Sequence, residues 1–194
     1  MAGISKTWTA DDSYVRVGFC QRRTKGHRGY KLVTNIIGSS PDYAIAPKEL
    51  RRTGEKLATM FNLPKRPDYI VGFAAAGIPI TVSVALALDI PTLFAYKTRL
   101  DLPYEISWKE PHSQAPDLFL YGLQDGMSVV LIDDEVDSGR TLVNAIKSLS
   151  AANITVYDIG CVVEVLHDGL LHGRRLLQEE GFTLKSIMVV DIEN

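Results

Sequence analysis

The stretch VVLIDDEVDSGRTLVNAI, Val129 to Ile146, decides how the chain is read. Four apolar residues, Val129 to Ile132, run straight into Asp133 and Asp134; then come Glu135, Val136, Asp137, Ser138 and Gly139, and a new apolar rhythm begins. A short apolar run bounded by polar turn residues reads as a strand buried on both faces, and the rhythm that follows reads as a helix. The strand is expected over Ser128 to Asp133 and the helix over about Arg140 to Ala151. Carboxylates that follow a buried run this closely must sit at the rim of a sheet, so the question is what they hold there.

The same alternation extends to both sides. Upstream, Pro47 opens a helix whose inner stripe is Leu50, Leu57 and Met60-Phe61. A strand follows within DYIVGFAAAG, Asp68 to Gly77, then a helix over Ile80 to Leu88 and a strand over Pro91 to Tyr96. Downstream lie a strand over Thr155 to Val163, a helix over about Gly169 to Glu180 and a strand over Lys185 to Asp191. Strand and helix in alternation predict an α/β fold, a mostly parallel twisted sheet flanked by helices. Lys97 to Met127 breaks the pattern, with only short alternating pieces at Tyr104–Trp108 and Leu118–Tyr121. A segment of that length without helical rhythm reads as a binding loop or flap.

The bulk properties fit one domain spanning residues 1–194, with a lead over 1–28 and a flap region over 97–127. With 46% apolar residues the chain can build a sizeable core, and a formal charge of -2 supplies no global basic field for nucleic acid or anionic membrane. No apolar run approaches the roughly 20 residues that span a bilayer. Cys20 and Cys161 are far apart, and the opening MAGISKTWTADD has no apolar signal segment. These features point to a reducing, cytoplasmic setting.

In an open α/β sheet, ligands collect beyond the carboxyl ends of the strands. Gly139, flanked by Ser138 and Thr141 and opening a helix, offers backbone N–H groups and a positive helix end to an anion, most naturally phosphate. Two carboxylates beside a phosphate repel it unless something intervenes. Ribose hydroxyls, which a carboxylate can accept from, and magnesium, which takes hard oxygen ligands, are the natural mediators.

Other loops fit less well. Counted from Asp133, an EF-hand places Ser138 where it needs Gly and Asn144 where it needs Glu. Gly139-Arg140-Thr141 only imitates the Gly-Lys-Ser/Thr ending of a Walker loop. Acids after a strand also occur in receiver domains, but those continue for a whole domain afterwards, whereas these acids fall in the last third of the chain. A turn capped by Asp137 or Ser138, with surface acids and no ligand, is the plain alternative.

VVLIDDEVDSGRT resembles the signature of the type I phosphoribosyltransferases, and the resemblance extends from about Gly29 to Ile192. It implies that Asp133 and Asp134 take the ribose hydroxyls of phosphoribosyl pyrophosphate and a Mg2+ ion, and that Asp137, Ser138, Gly139, Arg140 and Thr141 wrap its 5-phosphate. GFAAAG, Gly72 to Gly77, would lie under the pyrophosphate with Ala75, Ala76 and Gly77, and Lys97 to Pro111 would close over it as a flap. FAYKTRLDLP, together with Glu164, Gly173-Arg174 and Ser186-Ile187, is most similar to the adenine and xanthine enzymes. The acceptor implied is a purine attacked through a ring nitrogen, and the assembly implied is a homodimer. Asp137 stands where adenine enzymes typically carry Ala and hypoxanthine-guanine enzymes an Asp, which tilts the acceptor toward a 6-oxopurine and makes Asp137 the proton acceptor.

The chain also departs from that pattern. Ala75-Ala76 replaces a polar pair often found under the pyrophosphate, and Glu135 adds a third acid. The cations left for the leaving group are Lys97, Arg99 and Lys109, each otherwise a solvated loop charge; Lys97, at a strand end, is the first choice as a catalytic group. Glu164 and Trp108 are candidates for the base, and Trp108 could equally pack a hinge. Arg51-Arg52 and Arg174-Arg175 read as helix-surface charges and Cys161 as core. His167 and His172 have the wrong spacing for one metal. The basic run Arg22 to Arg28 is read as a solvated loop, with a substrate phosphate or partner site next and nucleic acid last. A sugar-phosphate-sensing regulator is the rival to an enzyme, and the residues before Pro47 lack a helix-turn-helix pattern.

Overall fold

Five strands carry the apolar runs of the sequence into one parallel sheet. The computed structural model describes residues 7–9, 15–21, 30–38, 41–111 and 117–192. Most of the 1–28 lead, including the basic run Arg22 to Arg28, lies outside the described residues. In chain order the elements are strands β1 (Thr7–Thr9), β2 (Arg16–Gln21) and β3 (Tyr30–Thr34), helix α1 (Pro47–Met60), β4 (Tyr69–Phe73), α2 (Ile78–Leu88) and β5 (Thr92–Ala95). They continue with β6 (Ile106–Trp108), β7 (Leu118–Leu120), β8 (Ser128–Val136), α3 (Arg140–Ala151), β9 (Thr155–Leu166), α4 (His172–Glu179) and β10 (Lys185–Asp191).

The large sheet has the order β10-β9-β8-β4-β5, and all of its pairs are parallel. The chain fills it from the middle: β4 leads outward to β5, and then β8, β9 and β10 build the other half. The order therefore reverses between β4 and β8, which is where an open sheet makes room for a ligand. β1, β2 and β3 form a separate antiparallel sheet.

Each face of the large sheet has its own core. Val130 and Ile132 of β8 pack with Leu57 of α1, Ile80 and Val84 of α2 and Leu32 of β3. Val129 and Leu131 pack on the opposite face with Leu142, Ile146 and Leu149 of α3 and Leu177 of α4. Alternate residues of β8 thus serve opposite cores, and each fully buried Leu or Ile contributes about 1.5–3 kcal/mol. The continuous apolar run of β8 follows from burial on both sides.

Register explains where the acids fall. β4 pairs with β8 from Tyr69↔Val129 to Gly72↔Ile132 and then turns away after Phe73. β9 is longer and keeps pairing through Asp133↔Cys161, Glu135↔Val163 and Val136↔Glu164. The strand expected to end at Asp133 therefore continues to Val136. Its acids do not sit on a loop; they lie on a strand edge that β4 has left open, in a notch.

One other expectation is filled out and one changes. Within Lys97 to Met127 the two short alternating pieces are strands β6 and β7, which pair antiparallel, Ile106↔Leu120 to Trp108↔Leu118, while Tyr96 bridges to Phe119. The helix expected from Gly169 begins at His172, because Asp168 at φ 50 and Gly169 at φ 70 occupy the left-handed region and make a turn closed by His167↔Leu170.

Candidate active site

The notch brings two turns together. The first, Ala74 to Gly77, leaves β4 through a cis Ala74–Ala75 peptide and leads into α2. The second, Asp137 to Thr141, leaves β8 and leads into α3. Gly77 lies tight against the acids: a Cβ there would stand 2.7 Å from the Phe73 carbonyl oxygen and 3.3 Å from Asp133 Oδ1. The expected pyrophosphate turn and the expected ribose acids are thus neighbours because β4 and β8 are neighbours.

Asp133 is half-buried, and its Oδ1 accepts the backbone N–H of Asp134 at 2.9 Å. Burial, and then the adjacent charge of Asp134, push its carboxyl well above the usual carboxylate range, with Glu135 adding to the effect. A carboxyl that resists ionisation beside two other acids is a place where a divalent cation, or hydroxyls to accept from, removes the repulsion. Magnesium suits this donor set: hard carboxylate oxygens, one or two from the protein, with the rest of its shell left to water and phosphate oxygens. Among the described residues there is no group of three or more His, Cys, Asp or Glu side chains that could enclose a metal alone.

The second turn is shaped for an anion. Gly139 is the N-cap of α3 at φ 70, a left-handed conformation that other residues adopt only with strain, and it supplies no capping side chain. Arg140 and Thr141 open the helix. The Thr141 hydroxyl donates to Glu110 Oε1 at 2.8 Å, and Glu110 Oε2 lies 3.9 Å from Lys97 Nζ. A carboxylate on the chain itself therefore stands at the first turn of α3, facing the cation expected to serve the leaving group. Nothing in the local pattern around Glu110 marked it; only the docking of β6 on α3 does. Ser148 Oγ donates to the Ser107 carbonyl at 3.0 Å and Asn144 Nδ2 to the Lys109 carbonyl at 2.8 Å.

The other predicted cations are placed as follows. Arg99 Nε donates to Glu105 Oε2 at 2.9 Å, and the Tyr121 hydroxyl donates to that same oxygen at 3.1 Å. Arg99 is thus held by a carboxylate of its own segment, while Lys109 is exposed. Ala75 is exposed and Ala76 half-exposed, so the first turn presents backbone rather than side-chain charge.

The base candidates receive other tasks. Trp108 is only 4% exposed and meets Phe73 edge-on at 6.0 Å, so it packs in the core beneath the notch. Glu164, 0% exposed, is paired with Arg174: Arg174 Nε donates to Oε1 at 2.9 Å, and Arg174 Nη2 and Ser186 Oγ both donate to Oε2. Arg174 is therefore not the helix-surface charge expected. It turns inward onto the buried Glu164 carboxylate, which without a cation would be an uncompensated buried charge. Arg175 does remain outside, paired with Glu179 one turn on.

A parallel sheet whose order reverses beside an acid-tipped strand and a glycine-opened helix is an α/β fold with a crevice and an anion-ready helix start at its switch point. A model of the phosphoribosyl transferase family matches residues 17–180, and the chain belongs to that family. A hypoxanthine/guanine phosphoribosyltransferase of Methanocaldococcus sp. (strain FS406-22) is 29% identical over 150 residues, 76% of this chain and 74% of that one. Its counterpart in Methanothermococcus okinawensis is 33% identical over 129 residues, 66% of this chain and 68% of that one. In fold, the chain is similar to an adenine phosphoribosyl transferase of Trypanosoma brucei solved with AMP, pyrophosphate and ribose-5-phosphate. The TM-score is 0.64 at 16% identity, covering 87% of this chain and 72% of that one. The adenine enzyme of Thermoanaerobacter pseudethanolicus gives 0.60 at 21%, covering 75% and 82%. No helix among the described residues is long and apolar enough to cross a membrane.

Proposed function

We propose that the protein transfers the 5-phosphoribosyl group of phosphoribosyl pyrophosphate to a ring nitrogen of a purine, releasing pyrophosphate and a nucleoside 5'-monophosphate. The observation that carries the reading is the contact of Gly77 with Asp133, which sets a backbone turn suited to one anion beside an acid pair that leads into a helix start suited to another. A donor with phosphate at both ends of a ribose has that spacing of charges.

In this reading Asp133 and Asp134 accept the ribose hydroxyls and would hold a magnesium ion, whose charge would supply neutralisation for the diphosphate. Ser138, Gly139, Arg140 and Thr141 take the 5-phosphate, which replaces Glu110 at the Thr141 hydroxyl. Ala75, Ala76 and Gly77 offer the pyrophosphate their backbone, and Lys97, freed from Glu110, reaches the departing oxygens, joined by Arg99 and Lys109 from the same segment. As the C1–oxygen bond breaks and the purine nitrogen bonds to C1, the sugar carries oxocarbenium character. Asp137 accepts the proton that the purine gives up. A 6-oxopurine suits this carboxylate, and the hypoxanthine/guanine enzymes among the relatives support that choice. A homodimer belongs to the same reading, on the strength of the family resemblance, and a cytoplasmic setting on the strength of the two distant cysteines and the opening residues.

The test is pyrophosphate release from protein, magnesium and donor with a panel of adenine, hypoxanthine, guanine and xanthine. Turnover with hypoxanthine or guanine above adenine is expected. Tight donor binding with no turnover on any base would instead identify a donor-sensing protein, the rival reading. Light scattering of the eluted protein reports the dimer.

A further inference from the structure

We infer that Arg174 is a positioning residue for the turn Asp137–Thr141, acting through its neighbour Gly173, with Glu164 and Ser186 holding Arg174 for that purpose. The inference rests on the assignment of this turn to the donor's 5-phosphate.

The start of α4 is packed directly on the turn, backbone against backbone. A Cβ on Gly139 would stand 2.9 Å from both the Cα and the carbonyl oxygen of Gly173. A Cβ on Gly173 would stand 2.6 Å from the Asp137 carbonyl oxygen, 2.7 Å from Val136 Cγ1 and 3.2 Å from the Gly139 nitrogen. With no side chain between them to absorb a shift, any displacement of Gly173 is passed to Asp137 and Gly139.

What holds Gly173 is therefore what shapes the turn. Helix α4 has only eight residues and no side-chain cap at Leu171, too little to hold itself in place. Its core anchor, Leu177, lies toward the far end. At the near end stands Arg174, next in sequence to Gly173, whose fork meets both oxygens of Glu164 on β9 and, at 3.2 Å, the Ser186 hydroxyl on β10. Glu164 is in register with Val136, the residue just before the turn. Strand, helix start and turn are tied at one point, and a planar bidentate fork fixes position in a way that a single ammonium does not.

The experiment uses Arg174→Lys and Ser186→Ala in the full chain, with Gly139→Ala as a direct perturbation of the turn. The readouts are KM for donor and for base, kcat, ribose 5-phosphate affinity by calorimetry, and melting temperature. Arg174→Lys is expected to raise donor KM and ribose 5-phosphate Kd about 10-fold or more, and Ser186→Ala about 2- to 5-fold, with base KM unchanged, as misplacement of a binding group predicts. A merely structural pair would lower the melting temperature and the active fraction while leaving both KM values at wild type; that result overturns the inference. If Arg174→Lys does not fold, Ser186→Ala decides alone, and an unchanged donor KM there is equally fatal. If Gly139→Ala leaves donor KM untouched, the assignment of the turn itself has failed, a separate outcome that removes the inference with it.

Discussion

The Thr141 hydroxyl donates to the carboxylate of Glu110 across 31 residues of sequence, at 2.8 Å, so the protein holds one of its own acids at the helix start proposed for the donor's phosphate. Donor and Glu110 then compete for one place. Glu110→Gln removes the charge while keeping an acceptor for Thr141. Its donor affinity should rise by roughly 2- to 5-fold, the scale of an exposed charge interaction of up to about 1 kcal/mol. Calorimetric titration with phosphoribosyl pyrophosphate checks this, and unchanged or weaker binding refutes the competition.

Asp134 lies on the open edge of β8, where it supports little of either core. Asp134→Asn should weaken donor binding by about 10-fold or more, since a hydrogen bond to a charged group contributes on the order of 1.5–3 kcal/mol, and in the absence of donor melt at or slightly above wild type at neutral pH, because the charge that opposes Asp133 is gone. Calorimetry and a thermal melt on the same sample decide it; a collapsed melt, or full binding, counts against the role.

Asp137 is proposed to act in turnover rather than in binding. Asp137→Ala should keep donor affinity and lower kcat by roughly 10²- to 10⁴-fold, the usual contribution of a general base. Rapid-quench measurement of a single turnover isolates the step, and wild-type rates there would remove Asp137 from the mechanism.

Burial and the charge of Asp134 raise the carboxyl of Asp133, so the donor-free folded chain binds that proton more tightly than the unfolded chain does. The resulting stability is fully present below the ordinary carboxylate value of about 3.9 and is lost as pH rises through the raised value. Asp133→Asn has no such loss. Without donor or magnesium, the variant should melt higher than wild type near pH 7, with the gap closing toward pH 4. At this chain length each ~1 kcal/mol corresponds to roughly 2–4 °C. A gap that is constant or reversed across pH contradicts the assignment, and donor binding by the variant should be impaired throughout.

Asp68 is the opposite case, far from the notch. Its carboxylate accepts the Ser128 backbone N–H at 2.7 Å and the Ser128 hydroxyl at 2.8 Å, and these bonds hold it below the usual range. The stability it contributes is present above the ordinary carboxylate value and lost as pH falls through the lowered one. Asp68→Asn should therefore melt below wild type at neutral pH and converge with it in acid, as scanning calorimetry would show; no gap at neutral pH removes the role.

Legible in the residues alone were the alternation of elements, the whole span of α3 and β10, the start of α1 and the order acid, glycine, helix after β8. All of these rest on periodicity and on turn and helix-start chemistry within a few residues, which local sequence carries. Packing settled that β8 runs on to Val136, because that depends on β9 outlasting β4 alongside it. It also decided that Trp108 belongs to the core, that Arg174 turns inward to Glu164 and that Glu110 reaches Thr141. Periodicity reports whether a residue faces a core or solvent; which partner it meets follows from strand register and from how separate elements dock, and neither is encoded near the residue itself.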